Sequence, residues 1–202
     1  MRSYGIYQDI RNTAWRCLIK NKISSLPVDI LKVAHGEGNV RVIKNSAVDM
    51  LAPDEHARSY FGNEIWYIVY DDTRDITQVR YAIAHELGHY FLHHDSKYIK
   101  YSADQPIRNN SISENQADSF ACRLLCPSCV LFATDAMTPE EISKVCLVDI
   151  RIAKERAKRL KTLKERNCFF KSPLEKELYE AFLPYVEAHK KQSDAKLVKS
   201  EE

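Results

Sequence analysis

The chain has 202 residues, 45% of them hydrophobic and 29% charged, and a formal net charge of +2 that says little about its partners. This is the composition of a globular protein large enough to bury a core without disulfides. No window approaches the roughly 18 apolar residues that a membrane span needs, and the N-terminal segment lacks the apolar core of a signal peptide. The six cysteines are unevenly spaced, so we expect reduced thiols and a cytoplasmic protein.

The first third of the chain predicts two helices followed by two strands. Apolar residues recur at helical spacing over residues 7–23. Pro27 then has the place of a first helical residue and predicts a second helix. Residues 40–43 alternate like a short strand, and residues 64–70 predict a stronger one because they are rich in β-branched and aromatic side chains.

The middle of the chain predicts two further helices separated by a polar loop. Asp75, with a glutamine three residues later, resembles a capping box and opens a helix that runs to about His93. The polar loop extends from about Asp95 to Asn110. Apolar residues at helical spacing over residues 117–125 predict the next helix, which a proline ends.

The last third of the chain is predicted to be helical. Thr138 and Ser172 are each followed by a proline and, three residues on, by a glutamate, so each predicts a capped helix start. Another helix, starting near Asp149, carries a basic face. Residues after Lys190 lack apolar periodicity, so we expect disorder there. Helices, then a small sheet, then more helices predict an α+β fold.

The segment HELGH, at residues 85–89, is the strongest chemical signal in the chain. His85 and His89 lie one helical turn apart, so both imidazoles can point at one metal ion. Zinc accepts such nitrogens and, in catalytic sites, keeps one position open for water. Glu86 lies beside that face, where its carboxylate can accept a proton from the water. The pattern therefore predicts a zinc site with Glu86 as the general base.

An ordinary amphipathic helix that happens to carry two histidines is the alternative explanation. Burying imidazoles among apolar neighbours is costly unless something pairs with them, which favours the metal. Gly88, inside the same helix, costs about 1 kcal/mol relative to alanine, so we expect a packing requirement at that position.

A catalytic zinc needs a third protein ligand, and the sequence offers three candidates. Asp95 has the spacing of the third metzincin ligand, but Leu92 replaces the glycine that would turn the chain back under the metal. His93 lies one turn beyond His89, and three ligands along one straight helix cannot converge on an ion. Glu114, on the next predicted helix, is the candidate that we favour.

Glu114 and Asp118 form the Glu-x-x-x-Asp pattern of the gluzincins, in which Glu binds the metal and Asp hydrogen-bonds a ligating histidine. Such a carboxylate fixes the tautomer and the orientation of the imidazole. The competing explanation is a capping box of Ser111 and Glu114, which would make Glu114 merely structural. Ser113 with Gln116 offers a different cap that leaves Glu114 available.

Three stretches together resemble the ImmA/IrrE family of metallopeptidases. They are residues 80–93 (RYAIAHELGHYFLH), residues 114–127 (ENQADSFACRLLCP) and, more weakly, residues 26–30 (LPVDI). The order of the blocks and the strand before the first block also match, and the resemblance covers roughly residues 5–165. HELGH alone is shared by many zincins, whereas its combination with the second block is fairly specific.

The resemblance implies a small zincin-like metallopeptidase domain over residues 1–135, with helices around a small sheet. It also implies a helix-turn-helix-like element after the second ligand helix, which residues 138–163 would supply. The helical region over residues 136–190 adds the predicted C-terminal helix, which is not a general family feature, and residues 191–202 form the predicted disordered tail.

Family members typically cleave a helix-turn-helix repressor, often encoded in a prophage or another mobile element, and so the expected substrate is a protein of that kind. The site residues implied by the resemblance are His85, His89 and Glu114 as zinc ligands, Glu86 as the base and Asp118 as the partner of a ligating histidine.

Other signals compete with this interpretation. Cys122, Cys126 and Cys129 have the spacing of a radical-SAM iron–sulfur loop, but they start within a predicted amphipathic helix, so we interpret them as structural thiols. The basic stretch at residues 151–171 is a candidate DNA contact, although a solvated helix face is the simpler explanation. A non-catalytic module that uses the metal structurally and sequesters a protein partner is the remaining alternative.

Two parts of a peptidase mechanism are less well defined by the sequence. An extended substrate is hypothesised to pair with the strand at residues 64–70 through main-chain hydrogen bonds. A further donor must stabilise the oxyanion. The candidates near the motif, among which the sequence does not choose, are Arg80, Tyr90, His93, His94 and Tyr101.

Overall fold

A computed structural model describes the backbone of residues 2–94, 99–101 and 112–200, and the side chains of residues 8–94 and 112–191. Within these residues the chain forms eight α-helices around a small mixed β-sheet, which confirms the α+β prediction. The elements in chain order are α1 (Arg2–Lys20), α2 (Ile30–His35), β1 (Val40–Lys44), β2 (Ala57–Gly62), β3 (Ile65–Tyr70), α3 (Ile76–Phe91), β4 (Ile99–Tyr101), α4 (Ile112–Leu125), α5 (Ser128–Ala133), α6 (Pro139–Cys146), α7 (Ile150–Glu165) and α8 (Pro173–Ser200).

The sheet has the strand order β1-β3-β2-β4, with β1 parallel to β3 and the other neighbours antiparallel. β2 and β3 form a hairpin whose two turn residues, Asn63 and Glu64, have φ values of 51° and 63°. Positive φ at both positions is the pattern of a type I′ turn, which matches the twist of the paired strands. β2 is not among the predicted strands, because its buried side carries the small residues Ala57 and Ser59, which give little hydrophobic alternation.

β3 lies in the middle of the sheet, between β1 and β2. Both of its edges are therefore hydrogen-bonded to other strands, and an extended peptide cannot add to either edge. The hypothesis that the strand at residues 64–70 receives the substrate is wrong for this reason. The outer strands of the described sheet are β1 and β4, and this pairing order cannot be deduced from the local pattern of a strand.

The starts of the first two helices also differ from the prediction. α1 begins at Arg2 rather than near Tyr7. α2 begins at Ile30, because the Asp29 carboxylate accepts a hydrogen bond from the Lys32 N–H at 2.9 Å and so caps the helix. Pro27 therefore lies before the cap and not in the first turn.

α6 and α7 follow one another in the range where a helix-turn-helix-like element is predicted. Thr138 forms the predicted capping box with the glutamate three residues later at the start of α6. Leu147, with φ of 53°, ends α6, and Asp149 then caps α7. α8 continues to Ser200, where we expected a disordered tail after Lys190. Lysine, alanine and leucine in this tail have high helix propensity, which favours extension of the helix over the predicted disorder.

One hydrophobic core connects the sheet with helices from both ends of the chain. Its members include Trp15 from α1, Ile68 from β3, Leu87 from α3, Leu160 from α7 and Phe182 from α8. Full burial of one such side chain contributes about 1.5–3 kcal/mol to folding. The region at residues 136–190 therefore completes the core of the preceding part. Among the described helices, none has both the length and the apolar character that crossing a membrane requires.

Candidate metal centre

α3 carries the HELGH segment through the interior of the protein. The helix is capped by Asp75, as predicted, whose carboxylate accepts a hydrogen bond from the Thr77 N–H at 2.8 Å. Residues from Arg80 to His89 are all buried, because α3 packs against α4 and against the sheet. Two imidazoles and a carboxylate therefore lie in the interior, where their polar atoms need partners.

Three of the predicted site residues converge on one point. The Nε2 atom of His85 lies 3.1 Å from Nε2 of His89 and 3.1 Å from Oε2 of Glu114. Nε2 of His89 lies 3.6 Å from Oε1 of the same Glu114 carboxylate. Glu114 is in the first turn of α4, which faces α3. Ser111, its partner in the alternative capping box, lies outside the described residues.

The spacing of these donor atoms fits a metal ion. Ligand atoms about 2.0–2.1 Å from one ion at tetrahedral angles are about 3.4 Å apart. The separations in the cluster, from 3.1 to 3.6 Å, are close to that value. Within the described part of the chain, this is the one group of three or more His, Cys, Asp or Glu residues placed to hold a metal.

Gly88 allows α3 and α4 to approach closely at this site. A Cβ atom at Gly88 would lie 2.9 Å from Cα of Ala117 and 3.1 Å from its carbonyl oxygen. Both are backbone atoms of α4, which cannot move aside by themselves, so any side chain larger than hydrogen would push the two helices apart. The packing requirement expected at Gly88 is therefore the contact that brings Glu114 within reach of the histidines.

Asp118 hydrogen-bonds His85 from one turn further along α4. The Nδ1–H of His85 donates to Oδ1 of Asp118 at 2.9 Å, and the Tyr81 hydroxyl donates to the same oxygen at 3.1 Å. Nδ1 is thereby committed to Asp118, and Nε2 is the ring nitrogen that can bind a metal ion once it gives up its proton. Burial lowers the pKa of His85, but its hydrogen bonds with Asp118 and Glu114 outweigh that effect and raise the pKa to about 9.

A second chain of hydrogen bonds orients His89. Nδ1 of His89 lies 2.9 Å from Nδ1 of His94, and Nε2 of His94 lies 2.9 Å from Oε1 of Gln116 on α4. The amide oxygen of Gln116 can only accept, so it fixes the proton of His94 on Nε2 and leaves Nδ1 as the acceptor for His89. The pair is not predicted from the sequence, in which His94 is one of several oxyanion candidates and Gln116 belongs to a possible helix cap.

Glu86 lies on α3 and is fully buried, with its side chain in contact with the sheet. Its Oε2 accepts a hydrogen bond of 2.5 Å from the hydroxyl of Ser59 on β2, a contact that the sequence did not predict. Its Oε1 is buried and has no hydrogen-bond partner among the described residues. Burial raises the pKa of Glu86 to about 7 against the opposing effect of His85. A carboxylate with a near-neutral pKa suits a group that takes up and releases a proton.

Two of the candidates for oxyanion stabilisation make other contacts. The Arg80 guanidinium donates to the carbonyl oxygens of Leu147 at 3.2 Å and Cys146 at 3.4 Å, and so connects α3 with the turn between α6 and α7. The Tyr90 hydroxyl donates to Oδ1 of Asn39 at 2.8 Å. Both side chains are therefore engaged in positioning other elements.

The remaining candidates follow the end of α3. His93 is exposed, with φ of 56°, so the chain has left the helical direction before it could act as a third ligand on that helix. His94 contacts His89, as described above. The side chain of Tyr101 and all of Asp95 lie outside the described residues.

The three cysteines with the spacing of an iron–sulfur loop are not part of the histidine–carboxylate cluster. Cys126 and Cys129 are buried and Cys122 is partly buried, and all six cysteines of the chain are free. Burial raises the pKa of Cys129 to about 12, which makes it a poor metal ligand because the thiolate is the form that binds metal. These properties match the interpretation of the three residues as structural thiols.

A comparison with protein families agrees with the motif. The family model described as Peptidase_M78, IrrE N-terminal-like domain, matches residues 38–158. The matched range begins before β1 and ends within α7, so it includes the whole sheet and every residue of the histidine–carboxylate cluster. No curated protein matches the chain.

Proposed function

The chain belongs to this family of IrrE N-terminal-like peptidase domains, and on that premise we propose that it is a cytoplasmic zinc-dependent endopeptidase. The observation that carries the proposal is the convergence of His85, His89 and Glu114, with which the buried carboxylate of Glu86 interacts electrostatically through His85 and Glu114. A metal ion held there would lie next to a group able to accept a proton. Free thiols at all six cysteines are in keeping with the reducing compartment that we propose.

The donor set supports zinc as the metal. Two imidazole nitrogens and one carboxylate oxygen form the ligand set of several zinc peptidases, in which a fourth position is left for water. Asp118 and His94 would hold the two imidazoles in the tautomers that expose Nε2. When bound, zinc supplies a Lewis acid that lowers the pKa of water to roughly 7 and polarises a carbonyl group.

Proton transfer is assigned to Glu86. Its unpaired Oε1 would accept the proton of the attacking water and later deliver it to the amine that leaves. Ser59 holds the other carboxylate oxygen, so Glu86 keeps one orientation during both transfers. Burial raises the pKa of Glu86, which favours its uptake of the proton.

We assign substrate binding to β4, in place of β3. β4 is an outer strand of the described sheet and pairs with β2, the strand that carries Ser59. An extended peptide could add to its outer edge through main-chain hydrogen bonds. Such a peptide would be separated from β2, whose Ser59 holds the catalytic base, by the single strand β4.

The substrate that we propose is a helix-turn-helix repressor of a prophage or other mobile element. This part rests on the resemblance of residues 80–93 and 114–127 to peptidases that cleave such repressors. The chemistry of the site itself requires only a peptide bond.

The test is to incubate the purified zinc-loaded protein with the repressor encoded nearest to its gene. Wild type should cut it, while Glu86→Gln should lose at least about a hundredfold in rate, because general acid–base catalysis contributes roughly 10²–10⁴-fold. Zinc content should be unchanged, since Glu86 is not a proposed ligand. Glu64→Gln is the matched control, because Glu64 is exposed in the turn before β3.

The outcomes separate two functions. Equal cutting by wild type and Glu86→Gln would contradict the mechanism. Stable binding of the repressor without cutting by either protein would favour a non-catalytic module that sequesters its partner. DNA contact through the exposed lysines of α7 remains a second candidate, favoured by the position of α7 in the helix-turn-helix-like pair.

A further inference from the structure

A cavity of about 430 Å³ lies between α1, α7, the start of α8 and the junction of α4 and α5. None of its lining residues belongs to the histidine–carboxylate cluster. Its volume falls within the range of small-ligand sites, roughly 300–1,000 Å³. Five arginines line it, against a single carboxylate from Glu175; they are Arg11, Arg123, Arg156, Arg159 and Arg166.

The cationic residues of α7 line two different surfaces, and Arg151 lies with the lysines. Arg156 and Arg159, together with Arg166 just after the helix, line this cavity. The lysines Lys154 and Lys161 instead line a different groove, beside α6. Arginine presents a planar fork of donors that binds phosphate and carboxylate oxygens in pairs, whereas lysine acts as a point charge. The cavity therefore has the cation suited to directional recognition of an oxyanion.

Arg156 is a buried member of this set, with 5% exposure. Its Nε donates to the carbonyl oxygen of Cys126 at 2.7 Å, while Nη2 is buried and has no hydrogen-bond partner among the described residues. A buried guanidinium without a carboxylate partner is costly, because its charge has been removed from water without compensation. An anion in the cavity would supply that compensation.

Trp15, which also lines the cavity, likewise carries a buried donor that makes no hydrogen bond to the described residues. Its Nε1 is buried and has no hydrogen-bond partner among the described residues, and the Arg11 guanidinium lies 4.8 Å from the centre of its ring. An indole N–H and a guanidinium N–H can only donate. Trp15 and Arg156, the residues that carry these two buried donors, both line the cavity, where an anion would compensate the guanidinium charge.

The carboxylate of Glu175 does not balance this charge. It is buried, and one of its oxygens accepts a hydrogen bond from the Lys171 N–H at 3.1 Å, where it helps to cap α8. One carboxylate against five guanidinium groups leaves a strong positive excess in the cavity.

We propose that this cavity binds a small phosphate-bearing ligand, with Arg156, Arg159 and Arg166 as its main contacts. Phosphate matches the donors in charge and geometry, and the volume has room for a nucleotide-sized molecule. A concave site lined by five helices, with one arginine buried, favours a small ligand over the backbone of duplex DNA. DNA would first meet the exposed lysines on the other side of α7.

The test uses the full-length zinc-loaded protein and calorimetric titration with AMP and with inorganic phosphate at constant ionic strength. A short fluorescein-labelled DNA duplex is titrated in parallel. The double variant Arg159→Gln/Arg166→Gln changes two exposed residues and should fold. It should lower the affinity for AMP at least about tenfold, since hydrogen bonds to charged groups are strong enough to have that effect.

The matched control is Lys154→Gln/Lys161→Gln, which removes the same charge from the other side of α7 and should change AMP affinity less than about twofold at constant ionic strength. Zinc content, measured in all three proteins, separates this site from the metal centre. Failure of both AMP and phosphate to bind saturably, or equal weakening by the two double variants, would overturn the proposal. The proposal would also be overturned if the wild type bound duplex DNA but not AMP, and if the double variant Arg159→Gln/Arg166→Gln lost that DNA binding. The arginines would then be assigned to DNA.

Discussion

His85 and His89 differ in the partner that orients each imidazole. His85 donates to a carboxylate, Asp118, whereas His89 donates to a neutral imidazole, His94, that is itself held by Gln116. A carboxylate increases the basicity of the histidine more than a neutral acceptor does. The orientation of His89 therefore depends on a chain of two hydrogen bonds, each of which can be broken separately.

The first prediction concerns His94. His94→Ala should weaken zinc binding by about 10–100-fold, because partners of ligating histidines typically contribute that much to metal affinity. Affinity is measured by competition with a chromogenic chelator, and His94→Asn should restore part of it because its amide oxygen can accept the bond from His89. His93→Asn is the control, since His93 is exposed and asparagine tolerates its positive φ. Equal affinity of wild type and His94→Ala would contradict the assignment.

At the scale of elements, the metal centre depends on how closely α3 and α4 approach each other. Glu114 and Asp118 are on α4, and the two histidines are on α3. The distance between these helices at the site is set by Gly88 against Ala117, with no side chain between the two backbones. Glycine lowers the stability of the helix, but its lack of a side chain lets α4 approach and so places Glu114 near the histidines.

The second prediction follows from this contact. Gly88→Ala should lower the free energy of unfolding by about 1–3 kcal/mol, as overpacking in a close contact does, and should also weaken zinc binding by moving Glu114. Denaturant unfolding and chelator competition measure the two effects. Gly62→Ala is the matched control, because a Cβ atom there meets nothing within 4 Å. If Gly88→Ala binds zinc like wild type, the close approach does not position Glu114.

At the scale of the whole molecule, the helical region and the sheet form one cooperative unit. Leu160 and Phe182 share a core with Ile68, and Arg80 on α3 donates to the turn between α6 and α7. We therefore expect a single unfolding transition that also reports on changes at the metal centre.

The third prediction uses that transition to test the buried carboxylate. The pKa of Glu86 is about 7 in the folded protein and 4.5 in the unfolded reference, so the folded state binds the proton more tightly between these values. Stability therefore falls as pH rises through this window. In chelator-treated protein, Glu86→Gln should gain stability relative to wild type by about 1–3 kcal/mol between about pH 4.5 and pH 8.

Urea unfolding of both proteins across this range measures the difference, and the comparison of the two cancels most other titrating groups. If the difference in the free energy of unfolding between the two proteins does not change with pH, ionisation of Glu86 does not destabilise the folded state. Glu64→Gln, on the surface, should follow wild type at every pH.

The sequence alone was sufficient to predict the side chains that form the site and the helices that carry them. His85, Glu86 and His89 lie on one helix at spacings that are a local property of the chain, and the Thr138 capping box is equally local. Such patterns are readable because helix geometry repeats every few residues. The motif blocks around Glu114 also identified the family, which the match over residues 38–158 now establishes.

Tertiary structure decided which side chains meet. Ser59 contacts Glu86 across 27 residues, and His94 contacts Gln116 across 22, so neither pair follows from local spacing. The same holds for the central position of β3, which required the correction of the substrate strand, and for the arginine cavity formed by elements from both ends of the chain. These features arise from packing between distant segments, whose geometry the periodicity of a single helix or strand does not contain.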